Sequence, residues 1–191
     1  MKKIIVFGSG NGSNFEVIIK YFQNKEVEFI CVSDKKDAYI LERAKKLRIK
    51  SFYVPFKETY DFLKAQKYDL IVLAGYMRIL PSETVKLGGM INIHPSLLPN
   101  YKGKDVIKKA YDAGEKFTGV TVHWVNEDVD SGAIIAQTQV NIEENMSLSK
   151  LEEEVHKVEH RLYPRVIEHL LFNIPLNLDN ITTEKLMAGG N

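Results

Sequence analysis

Cysteine is nearly missing from this chain: of 191 residues only Cys31 is one, so no intrachain disulfide can form. It lies in the apolar run Val27-Glu28-Phe29-Ile30-Cys31-Val32, where a thiol packs as a small hydrophobe. Clusters of Cys and His with zinc spacing are missing too. Of His156, His160 and His169 only the first pair shares a helical face, with no acidic-water motif between them, so no metal is expected. Neither sign of charge dominates. The 26 Lys and Arg stand against 25 Asp and Glu, which gives no reason to expect nucleic acid or an anionic membrane as the main partner. Any anion site must be local. No apolar stretch approaches the ~20 residues of a membrane span, and the amino terminus lacks a signal-peptide pattern. These absences lead to the expectation of a soluble, cytoplasmic protein.

What is present is alternation. Short apolar runs at Lys3–Phe7, Val27–Ser33, Ser51–Val54, Leu70–Ala74 and Met90–His94 read as strands. Segments of helical spacing separate them at Phe15–Tyr21, Ala38–Leu47 and Lys57–Gln66. Further on, Lys104–Ala113 reads as a helix, Gly119–Val125 and Ala133–Val140 as strands, and a long helix runs to about Leu171. Its stripe is Leu151, Val155, Val158, Leu162, Val166 and Leu170, with Ser149 and Glu152 at capping-box spacing and Pro164 as a candidate kink. The pattern predicts an α/β fold with a mostly parallel central sheet and helices on both faces. At 191 residues, with no repeat and no composition break, a single domain over 1–191 is expected, with about 172–191 as a C-terminal surface arm.

Four segments carry chemistry. In Met90-Ile91-Asn92-Ile93-His94-Pro95-Ser96-Leu97-Leu98-Pro99 an amide and an imidazole stand two residues apart on one strand, so both point the same way. An amide N–H can hold a developing oxyanion while an imidazole moves protons, which suits acyl transfer. Gly8-Ser9-Gly10-Asn11-Gly12-Ser13-Asn14, between the first strand and first helix, can cradle a phosphate on backbone N–H groups. It matches neither the Walker loop nor the dinucleotide fingerprint, and a tight turn capped by Asn14 or Ser13 would look the same. Ala74-Gly75-Tyr76-Met77-Arg78-Ile79-Leu80-Pro81 follows a buried strand and should reach the same crevice, where a flat apolar ligand could lie. Asp128-Val129-Asp130-Ser131-Gly132 forms a turn from which Asp130 can fold back to orient His94. His123 is a rival imidazole, weighted as a structural strand residue.

In this order, Gly10-Asn11-Gly12-Ser13-Asn14, Gly75-Tyr76-Met77-Arg78-Ile79-Leu80, Asn92-Ile93-His94-Pro95-Ser96-Leu97-Leu98-Pro99 and Asp128-Val129-Asp130-Ser131-Gly132 resemble the phosphoribosylglycinamide formyltransferases of purine biosynthesis, over about residues 3 to 171. The resemblance implies a Rossmann-like formyltransferase fold. It implies transfer of the formyl group of 10-formyltetrahydrofolate, a co-substrate, to the amine of glycinamide ribonucleotide, by a monomer or homodimer. Asn92, His94 and Asp130 would be catalytic. Gly12, Ser13 and Asn14 would contact the phosphate, and Glu159 the ribonucleotide, with His156, Lys157 and Val158 flanking it. The folate would meet Met77, Arg78, Ile79, Leu80, Asn92 and the loop Asn126, Glu127, Asp128, Val129, Asp130, with Lys57 near its glutamate tail. The Leu98–Pro99 peptide would be cis.

Two positions depart from the family pattern: Ala133 stands where proline is common, and Lys104-Asp105-Val106-Ile107-Lys108 lacks a histidine found in some relatives. Neither is a proposed catalytic group. Formyltetrahydrofolate hydrolysis and initiator-tRNA formylation usually come with an added amino-terminal or carboxyl-terminal domain, for which this chain is expected to have no room. A non-catalytic metabolite-binding module would use the glycine loop but not the Asn92, His94 and Asp130 trio.

Overall fold

A computed structural model describes residues 1–179 and 181 of the chain. Strand β1 (Lys2–Phe7) lies at the centre because its Ile4, Ile5, Val6 and Phe7 are buried on both faces, as parallel strands covered by helices require. It pairs in parallel with β2 (Val27–Ser33) on one side and β4 (Leu70–Leu73) on the other, so that Ile5 stands between Ile30 and Ile71. The sheet order is β3-β2-β1-β4-β5-β6-β7, with β3 (Lys50–Tyr53) at one edge, parallel to β2, and β5 (Met90–His94) parallel to β4. Strands β6 (Phe117–Trp124) and β7 (Ile134–Asn141) then add an antiparallel hairpin.

Side-chain alternation divides the core in two. Ile4 and Val6 face α1 (Ser13–Tyr21), α2 (Tyr39–Lys46), α5 (Val106–Asp112) and α6 (Leu148–Phe172). Ile5 and Phe7 share a core with Leu63 of α3 (Thr59–Lys64), with Tyr76 and Leu80 of the loop after β4, and with Val85 of α4 (Ser82–Val85) packed against it. Each fully buried Ile or Phe contributes about 1.5–3 kcal/mol relative to exposure. Cys31 packs in the first core with no exposure, and burial pushes its thiol pKa up to about 12. Tyr163 of α6, also fully buried, shares its hydroxyl between the carbonyls of Leu73 (2.9 Å) and Ile91 (3.2 Å) and so ties the long helix to β4 and β5.

Several expected details are corrected. The segment expected as one helix over Lys57–Gln66 is a 3₁₀ turn at Phe56–Glu58 followed by α3, because Pro55 sets the start of the turn. Helix α4 has no counterpart in the sequence pattern, being only four residues long. The cap of α6 is Ser147, whose Oγ accepts the Lys150 N–H at 3.2 Å, and not Ser149. Pro164 lies buried inside α6, which continues as one helix to Phe172. Of the expected carboxyl-terminal arm, residues 180 and 182–191 lie outside the described residues.

Candidate active site

The carboxyl ends of β1, β4 and β5 open into one cleft of about 850 Å³. It lies where the chain, having built β2 and β3 on one side of β1, returns to build β4 and β5 on the other, the usual crevice of an open α/β sheet. Gly12, Ser13 and Asn14 line it, with Met77, Arg78, Ile79, Leu80, Asn92, His94, Asn126, Glu127, Asp128, Val129, Asp130 and Glu159. Lys57 does not; it sits exposed in the 3₁₀ turn outside the cleft lining.

Asn92 and His94 project from β5 on one side, as two-residue spacing requires. The His94 Nε2–H donates to the Tyr101 carbonyl at 2.8 Å, which can only accept, so Nδ1 is the nitrogen left to exchange a proton. That Nδ1 lies 3.5 Å from Asp130 Oδ2, the carboxylate the β6–β7 turn folds back. Asp130 sits at φ 47°, a left-handed conformation uncommon for a residue with a side chain, and the Gly103 N–H donates to its Oδ2 at 2.9 Å. Burial alone would raise its pKa. The neighbouring His123 ring and the Gly103 amide, followed by the His94 ring, outweigh that and hold the carboxyl below the ordinary value.

His123 belongs to the constellation, contrary to its expected structural role. Antiparallel pairing sets it directly opposite Asn92, and its side chain lines the cleft beside a register shift between β6 and β7. Its Nδ1–H donates to the Trp124 carbonyl at 2.9 Å, leaving Nε2 to accept from Asn92 Nδ2 at 3.3 Å, with Asp130 Oδ1 3.7 Å away. This fixes which end of the Asn92 amide is which. The second amide hydrogen remains available to the cleft.

At the other end, α1 begins after Gly12 at φ 78°, and no side chain caps it, so neither Ser13 nor Asn14 takes its first N–H groups as the alternative of a capped tight turn would require. A Cβ at Gly12 would come within 2.9 Å of the Ile40 Cα, so only glycine fits between loop and helix. Asn14 donates to Glu159 Oε2 at 3.4 Å and its own buried Oδ1 has no partner. Glu159, 5% exposed, also accepts from His156 Nδ1 at 2.7 Å, a hydrogen bond that raises the His156 pKa.

The third wall is the loop after β4. Asp34 anchors it: Ser9 Oγ donates to Asp34 at 2.6 Å and accepts from the Met77 N–H at 3.0 Å, while Arg78 Nε donates to the other Asp34 oxygen at 2.7 Å. Although burial opposes ionisation, the Ser9 and Arg78 bonds keep the Asp34 pKa low. Met77, Ile79 and Val129 stay 54%, 69% and 44% exposed at the mouth, an apolar rim suited to an aromatic ligand. The Leu98–Pro99 peptide is cis. Among the described residues no group of three or more His, Cys, Asp or Glu could hold a metal ion, and no helix is long and apolar enough to cross a membrane.

Residues 2–167 match the Formyl transferase family. The phosphoribosylglycinamide formyltransferase of Bacillus subtilis is 41% identical over 186 residues, spanning 90% of this chain and 95% of that protein. The trifunctional purine biosynthetic protein adenosine-3 of Drosophila melanogaster is 39% identical over 187 residues, 89% of this chain and 14% of that protein. The crystal structure of phosphoribosylglycinamide formyltransferase from Streptococcus pneumoniae superposes with a TM-score of 0.82 at 41% identity, covering 89% of this chain and 99% of that one.

Proposed function

The chain belongs to the formyl transferase family, and from that membership we propose that it formylates the amine of glycinamide ribonucleotide in purine biosynthesis, with 10-formyltetrahydrofolate as donor. The observation that carries this reading is the shape of the cleft: an uncapped glycine loop at one end, an apolar rim at the other, and Asn92, His94 and Asp130 between them. The Gly12–Asn14 loop receives the phosphate, and Glu159 a polar group of the ribonucleotide. The flat heterocycle of the donor lies along Met77–Leu80 and the Asn126–Asp130 turn, with Lys57 farther out toward its tail.

Three charge demands follow when an amine attacks a formyl carbon. The oxygen that gains charge is held by the Asn92 amide N–H and by His94 Nδ1–H in its charged form. Asp130 faces that same nitrogen and supports the charge while the amine's proton passes, directly or through water, to the departing nitrogen. His123 acts as a positioning residue by holding the amide of Asn92 in one orientation. We propose the whole of 1–191 as one formyltransferase domain of the cytoplasm. Its site draws on one chain, which a monomer or a homodimer would serve equally.

Formyl transfer from the folate to glycinamide ribonucleotide, followed by appearance of the formylated product, is the direct test. Turnover with this pair is expected, and none at saturating concentrations would overturn the assignment.

A further inference from the structure

Resting on the ribonucleotide reading above, we propose that Arg43 is a positioning residue for the phosphate. From α2 it holds the Gly10–Asn14 loop in its receiving shape while touching no substrate itself. Its Nε–H donates to the Asn11 carbonyl at 2.8 Å and its Nη2 to Asn11 Oδ1 at 2.6 Å, a two-pronged grip on one loop residue. Its Nη1 pairs with Glu16 Oε2 in the first turn of α1. The guanidinium also lies 5.0 Å over the Tyr39 ring. Three nitrogens are committed inside the protein, and Arg43 is not among the cleft-lining residues.

The same helix grips the loop a second time. The Ile40 N–H donates to the Gly10 carbonyl at 3.0 Å, and the Ile40 side chain fills the space that the missing Cβ of Gly12 leaves. The loop, with Gly12 at φ 78°, is thus held at Gly10, Asn11 and Gly12 from the α2 side while the same three residues line the cleft. Charge adds a second effect. A carboxylate in the first turn of α1 competes with any anion for that helix end, and the Arg43 cation offsets Glu16 there. The nearby Lys20 also reaches Glu16, at 2.5 Å, but from the helix surface and without contact to Asn11.

The test compares wild type, Arg43→Gln and Arg43→Lys on glycinamide ribonucleotide and on its phosphate-free riboside, with kcat and KM determined for each. Arg43→Gln should raise KM for the ribonucleotide by about 10- to 100-fold, one to two steps of 1.4 kcal/mol each. Its kcat at saturation, its KM for the formyl donor and its kcat/KM on the riboside should stay near wild type. Arg43→Lys should fall between, since an ammonium can offset Glu16 but cannot reproduce the fork on Asn11. An unchanged ribonucleotide KM in both variants, or an equal loss on both substrates, overturns the proposal. Wild-type protein that turns over neither substrate sinks the formyl-transfer reading instead.

Discussion

Asp130→Asn is the sharpest perturbation of the site because it removes one charge and almost nothing else. The side chain keeps its size, and its amide oxygen can still accept the Gly103 N–H that now reaches Oδ2 at 2.9 Å. What goes is the negative charge 3.5 Å from His94 Nδ1 and 3.7 Å from His123 Nε2. At an effective dielectric of about 20, one such pair at that separation is worth on the order of 4–5 kcal/mol when the imidazole is charged. Relaxation and water entry take part of this. A loss of about 10²–10³ in kcat is expected, within the range of general acid–base catalysis, with KM for both substrates changed only a few-fold. Single-turnover formyl transfer under saturating substrates reads the chemical step directly. A kcat within about threefold of wild type would refute the relay, because a tenfold change needs only about 1.4 kcal/mol. Stability provides a second readout. A carboxyl whose folded pKa is lowered stabilises the fold above its unfolded value and loses that contribution as pH falls through the folded pKa. Urea unfolding of Asp130→Asn should therefore show a flatter decline than wild type below about pH 4.

Asn92→Ala removes an oxyanion donor and should cost on the order of 10²–10³ in kcat with near-normal KM; initial-rate kinetics check it, and His123→Phe should fall in the same direction by less. Tyr163→Phe deletes the hydroxyl that ties α6 to Leu73 of β4 and Ile91 of β5, and urea titration should find about 1–3 kcal/mol less stability. His156 has its pKa raised by Glu159, so it stabilises the fold fully below the ordinary histidine value and loses this as pH rises through the folded pKa. His156→Gln should accordingly flatten the fall in stability above about pH 6.5, measured by thermal unfolding across a pH series.

The parts of this molecule governed by local periodicity could be read from residues alone. Strand β5 occupies Met90–His94 as its apolar run implies, and two-residue spacing was enough to place Asn92 and His94 together. The sheet's covered faces followed from unbroken runs such as Ile4–Phe7. What escaped depends on long-range register. His123 joins the site because β6 pairs antiparallel with β5 and sets it opposite Asn92, and that pairing leaves no mark in Thr121-Val122-His123-Trp124. Arg43 likewise reads as one more charge on the polar face of α2 until the fold brings Asn11 against it. Short helices defeat periodicity for a simpler reason: four residues, as in α4, make barely one turn.

The solitary buried thiol in β2 gives this molecule an internal reporter. With no exposure and a pKa near 12, Cys31 offers neither access nor thiolate to a labelling reagent while the first core is closed. Covalent labelling by a thiol reagent should therefore proceed only through events that open the sheet beneath α1 and α2, and its rate would time those events without any engineered tag.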